Sequence, residues 1–135
     1  MTIKQVSVFI QNEAGSLEKV FQLFKKQNIQ LIVSTISDTA DSGVCRIICD
    51  NPEKAVAALK GAGMAVSLTD VFAIELDDVP GKAAETISTF AAAGISISYL
   101  YSFLYGGKGI LVFRTNDKEK AVSIISGNGF RTLSL

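Results

Sequence analysis

The chain has 135 residues, 48% of them apolar and 19% charged, with 13 basic residues against 13 acidic ones and no histidine. That is too apolar for a disordered chain and enough for a packed core, while zero net charge offers no long-range attraction to nucleic acid or an anionic membrane. Lack of histidine removes Ser-His and Cys-His nucleophile pairs, histidine-ligated zinc and the usual general base near neutral pH.

The opening Met1-Thr2-Ile3-Lys4 lacks the regions of a signal peptide, and no apolar run approaches the roughly 18 residues of a membrane span, so a cytoplasmic protein is expected. Val6, Val8 and Ile10 alternate with Ser7 and Phe9 and predict a first strand. Asn12 to Gly15 forms a turn, and Leu17, Val20, Phe21 and Phe24 recur at helical spacing. Gln27 and Asn28 end that helix; Ile29, Leu31 and Val33 start a second strand, which reverses around Asp41-Ser42-Gly43 into a third from Val44 to Cys49. Cys45 and Cys49, four apart on such a strand, lie about 13 Å from each other. That is beyond disulfide reach, and both are expected as small core residues. A second helix begins at Asp50 or Asn51, with Pro52 suited to its first turn and Glu53 to a capping-box-like role; Gly61 and Gly63 supply left-handed stops before a short strand.

The same order then recurs. Shifting the sequence by 66 positions aligns residues 6–69 with 72–135 without a gap, matching Gly15 with Gly81, Phe24 with Phe90, Gly43 with Gly109 and the run Glu53-Lys54-Ala55-Val56 with Glu119-Lys120-Ala121-Val122. Each half reads strand, helix, strand, strand, helix, strand. That order predicts an α+β protein of two tandem ferredoxin-like βαββαβ units, residues 1–69 and 70–135, each an antiparallel sheet with its helices on one face.

A fold of this kind carries many activities, so function has to come from a site. The turn before the first helix of each unit is the candidate: Asn12-Glu13-Ala14-Gly15-Ser16 and Asp78-Val79-Pro80-Gly81-Lys82. A helix start leaves N–H groups that favour a carboxylate, glycine lets a ligand come close, and the Asn12 and Asp78 oxygens can accept from an ammonium group. Together these suit an α-amino acid.

At these residues the sequence resembles the ACT domain family of small amino-acid-binding regulatory modules. Asp78-Val79-Pro80-Gly81 with Gly94-Ile95-Ser96-Ile97 carries the family's pattern, and Asn12-Glu13-Ala14-Gly15 with Asn28-Ile29-Gln30-Leu31 a looser version. The resemblance implies a ligand held where two paired units meet, by the turn of one and the start of the second strand of the other. Residue by residue it nominates Asn12, Ala14, Gly15 and Ser16 with Gln30 and Leu31, and Asp78, Pro80, Gly81 and Lys82 with Ser96 and Ile97. It implies an allosteric regulator without catalytic, metal or cofactor residues, which binds a free amino acid and acts as a homodimer or on a regulated enzyme or other protein, with no nucleic-acid or membrane partner.

Rival readings make different demands. An acylphosphatase-like hydrolase wants a cationic cradle in the first turn, where residues 12–16 hold no Lys or Arg and the second turn only Lys82. An RNA-binding module wants basic residues among its strand aromatics, and none precedes Lys108 in the stripe Tyr99, Tyr101, Phe103, Tyr105. A third alternative is a ferredoxin-like interaction module with no amino-acid ligand. Gly106-Gly107-Lys108-Gly109 leads into a strand, so it reads as a hairpin turn and not a phosphate loop. The aromatic stripe is expected at an interface, and a homodimer is expected to cover the apolar face carrying Val44, Ile48, Ile110 and Val112.

Overall fold

The computed structural model describes residues 1–11, 13–38 and 42–135. The chain forms two compact units, the first being Lys4–Thr69 and the second Asp70–Leu135 together with Met1–Ile3.

The first unit contains β1 (Thr2–Gln11) except its first two residues, α1 (Ser16–Lys26), β2 (Leu31–Asp38), β3 (Ser42–Cys49), α2 (Pro52–Gly61) and the opening of β4 (Ala65–Leu76). Its strands run in the order β2-β3-β1-β4, with β3 antiparallel to both of its neighbours: Val8 lies opposite Cys45, and Ile36 opposite Cys45 from the other side. Alternation along β1 sends Val6 and Val8 to the helix side, where they bury Val20 and Phe24 of α1 and Ala55 and Leu59 of α2. Cys45 and Cys49 are free and belong to this core; burial pushes the Cys45 thiol up to about 11, so it stays protonated at neutral pH. The reversal at Asp41 lies outside the described residues.

The second unit contains the rest of β4, then α3 (Lys82–Ala92), β5 (Ile97–Tyr105), β6 (Lys108–Thr115), α4 (Lys118–Gly127) and β7 (Arg131–Thr132). Here β7 pairs with β4, β4 with β6, and β6 with β5. Tyr105 and Lys108 flank a two-residue turn in which Gly106 and Gly107 have φ of 60° and 77°, the left-handed pair that a tight hairpin asks for, as the sequence led us to expect. The core is aromatic where the first is aliphatic. Phe90 of α3 packs edge-on against Phe113 at 5.0 Å and beside Phe130 at 6.0 Å, and Phe113 stacks on Phe72 at 5.5 Å.

The two residues between the aligned halves, Asp70 and Val71, lie inside β4, one strand from Ala65 to Leu76 that no Gly or Pro interrupts. Two expectations change. Of the two glycines read as helix stops, Gly63 (φ 81°) is left-handed, whereas Gly61 is the last residue of its helix; their counterparts 66 positions on, Gly129 (φ 65°) and Gly127, repeat the difference. On the apolar face away from the helices, Ile48, Ile110 and Val112 are already buried within the single chain, so these three side chains need no second copy to cover them.

Candidate functional site

The four helices start in two different ways. In α2, Asn51 accepts a hydrogen bond from the Lys54 N–H at 3.2 Å; in α4, Asp117 accepts from the Lys120 N–H at 3.0 Å. These are ordinary side-chain caps. By contrast α1 and α3 start at Gly15 and Gly81, with φ, ψ of 89°, −13° and 90°, −13° and no side-chain cap. A Cβ placed on either glycine meets nothing within 4 Å, so the backbone conformation alone demands glycine and the space outside the turn is open. The helix begins directly from the glycine carbonyl, which accepts from Lys19 N–H in α1 and Glu85 N–H in α3, both at 3.0 Å. The two helix starts that the sequence singled out are therefore the two that present an open, glycine-led end to solvent.

In the first unit, Asn12 lies outside the described residues. Ala14 and Gly15 are exposed, and Ser16 is half-buried beside a cavity of about 390 Å³ that also touches Gln11, Glu13, Lys19 and Met64. Gln30 is tied into the sheet margin: its N–H donates to Asp50 Oδ1 at 3.0 Å, its carbonyl accepts from the Asp50 N–H at 3.1 Å, and its side-chain amide donates to the Leu31 carbonyl at 3.0 Å. Gln30 and Leu31 do not line the cavity at Ser16.

In the second unit, Asp78 and Lys82 share a cavity of about 340 Å³ with Leu76, Val79, Leu100 and Leu104. Pro80 and Gly81 are exposed just outside its lining, and Ser96 and Ile97 stand at the other end of β5. Neither of these two cavities, then, brings the predicted turn residues of its unit together with Gln30 and Leu31 or with Ser96 and Ile97. A repeated irregularity marks the second strands: the register slips between Leu31 and Val33 against β3 and between Ile97 and Tyr99 against β6, the same position in both units. Bulges re-aim side chains where they fall, and here they fall just after Leu31 and Ile97, at Ile32 and Ser98.

Charge at the second turn is divided. Asp77 accepts from Lys108 Nζ at 2.8 Å; that hydrogen bond, reinforced by the ammonium charge, holds its carboxyl below the usual carboxylate range. Asp77 thus clasps the β5–β6 hairpin, and both it and the adjacent exposed Asp78 line the cavity. Lys82 Nζ lies 3.4 Å from Glu85 in an exposed i,i+3 pair, a weak contact in water. Sequence reading overlooked Leu100, Ser102 and Leu104, which line the cavity; it followed the alternate residues of the same strand, Tyr99 to Tyr105. The signal was that alternation itself: the opposite face of β5 reads Leu-Ser-Leu with no charge on it. Of the aromatic stripe, Tyr99, Tyr101 and Phe103 are half-buried and Tyr105 is exposed, meeting Phe103 edge-on at 6.4 Å.

Among the described residues no cluster of three His, Cys, Asp or Glu side chains could hold a metal ion, and no helix is long and apolar enough to cross a membrane. The model of the ACT domain pair matches residues 1–133. Protein BT0572 from Bacteroides thetaiotaomicron has a crystal structure similar to this chain at 34% identity and a TM-score of 0.93, covering 98% of this chain and 92% of that one. The regulatory subunit of aspartate kinase from Thermus thermophilus in its ligand-free form shares the fold at 16% identity and a TM-score of 0.64, over 92% of this chain and 91% of that one. The corresponding subunit from Thermus flavus does so at 18% and 0.63, over 91% and 88%. No curated protein sequence matches the chain.

Proposed function

The chain belongs to the ACT domain family, as a pair of ferredoxin-like ACT units, and from that premise we propose that it is a regulatory protein whose ligand is a free amino acid. ACT units are regulatory modules and not catalytic ones. The observation that carries the amino-acid reading is the contrast among helix starts: α2 and α4 are closed by side chains, while α1 and α3 open at left-handed glycines onto free space. In the second unit a carboxylate, Asp78, stands beside that opening, so a ligand ammonium and a ligand carboxylate each find a complementary group there.

On this reading Ala14, Gly15, Ser16, Gln30 and Leu31 with Asn12, and Asp78, Pro80, Gly81, Lys82, Ser96 and Ile97, form the ligand-contacting surfaces of the two units. The readout is a change in association with a regulated enzyme or another protein, since a ligand shifts an equilibrium only by its difference in affinity for the two states. Proteins that share the fold include regulatory subunits of aspartate kinase. Exposed Phe9 and Tyr105 support association of copies into a homodimer.

Calorimetric titration of the full chain with each proteinogenic amino acid tests the proposal: at least one should bind, and Gly81→Ala should weaken that binding by disturbing the helix start. If no amino acid binds at millimolar concentration, the chain is an ACT pair with another ligand or none.

A further inference from the structure

We infer that the cavity of the second unit selects an amino acid with an apolar side chain, branched aliphatic or aromatic, and that the turn of the first unit does not share this selectivity; the inference rests on the amino-acid reading above. The cavity, about 340 Å³, is at the small end of the range of ligand pockets. Leu76, Val79, Leu100, Leu104 and Leu111 line it, apolar surface prevails in it, and its charged groups are confined to the turn, where Asp77, already held by Lys108, and Asp78 stand with Lys82.

Three of those apolar residues are unusually open: Val79 is 52% exposed, Leu100 42% and Leu104 67%. Isolated exposed leucines are common, but three large apolar side chains around one concavity form a patch that gains when something apolar covers it. Register explains their grouping. Leu100 faces Phe113, Ser102 faces Leu111 and Leu104 faces Gly109 across the β5–β6 ladder, so all three stand on the helix side of the sheet next to the start of α3.

A zwitterionic backbone gripped at the turn by Asp78, with its carboxylate near Lys82 and the open helix start, directs its side chain over Leu100 and Leu104. An apolar side chain removes that surface from water. A charged or amide side chain in the same place gives up hydration without a partner among the leucines. Releasing Lys82 to meet the ligand costs little, because its contact with Glu85 is exposed and 3.4 Å long. At the corresponding positions the first unit has Glu13 for Val79, Ser34 for Leu100 and Asp38 for Leu104, so the residues that would line an apolar subsite are absent from its sequence.

The test is calorimetry on the full chain with leucine, isoleucine, valine and phenylalanine against glycine, threonine, aspartate and lysine. The apolar group should bind about tenfold or more tightly than glycine, the discrimination expected from a few methylene contacts. Leu100→Ser and Leu104→Ser should each erase most of that preference while glycine binding stays as it was; Ser34→Leu, at the matching position of the first unit, should leave the apolar affinity unchanged. Tightest binding of a charged or hydroxyl amino acid by the unmodified chain would overturn the inference while leaving the proposed function standing. Apolar binding indifferent to both leucine variants would do the same, and binding of no amino acid at all would overturn the two together.

Discussion

Set side by side at their offset of 66 residues, the two units agree in their backbone turns and disagree in what fills them. Gly15 and Gly81 have the same φ, ψ to within a degree, Asn51 and Asp117 cap in the same way, and the bulges that follow Leu31 and Ile97 coincide. Yet Val6, Ile47 and Met64 of the first core are replaced by Phe72, Phe113 and Phe130 in the second. The difference teaches that places where a helix must begin or a strand must kink admit few residues, whereas a core accepts any filling of suitable volume and shape.

The aromatic cluster gives the sharpest way to break this comparison. Phe90→Ala should cost about 3–5 kcal/mol, because it empties a fully buried site and ends two ring contacts, and Phe24→Ala should cost less, as Phe24 is in no such cluster. The shift of the urea unfolding midpoint measures both; equal losses would mean that the rings add nothing beyond volume. At the turns the comparison should hold instead of breaking. Gly15→Ala and Gly81→Ala each force a side chain into left-handed backbone with open space around it, so each should lose about 1–2 kcal/mol through strain alone, and by the same amount. The caps come next: Asn51→Ala and Asp117→Ala should each cost about 1 kcal/mol, the second more at low salt because the aspartate also meets the helix dipole.

The smallest effect lies at a contact that one unit lacks. Asp77 and Lys108 have Gln11 and Ser42 at the matching positions, so the clasp belongs to the second unit alone. Because Asp77 has a folded-state pKa held below its unfolded value, the pair adds stability above the ordinary carboxylate range. That contribution disappears as pH falls through the depressed folded value. Being exposed, the pair contributes little, and Lys108→Ala should show chiefly as a rise in the Asp77 titration midpoint followed by carboxyl NMR, with hardly any change in thermal stability.

Much of this was legible in the sequence. Period-2 runs and the 66-residue repeat place the strands and helices and predict the glycine-led starts of α1 and α3, since few residues but glycine tolerate φ near 90°. The continuity of β4 was legible too, in the absence of any breaker from Ala65 to Leu76, but alternation alone does not say whether two strands or one cross Asp70. The cavity at Asp78 was not legible. It depends on the pairing of β5 with β6, which puts Leu100 and Leu104 on the same side as α3; a one-residue change of register would have put Tyr99 and Tyr101 on that side instead. Nor do local motifs tell that Asp77, and not Asp78, takes Lys108, because those partners are 31 positions apart.

Met1–Ile3 belong with the second unit although all its other residues begin at Asp70. Ile3, which is buried, therefore closes a unit whose other residues lie far away along the chain, and completing that unit means bringing together two segments with the whole of the first unit strung between them. Loss of those three residues is a lesion of the second unit and not of the one they precede in sequence.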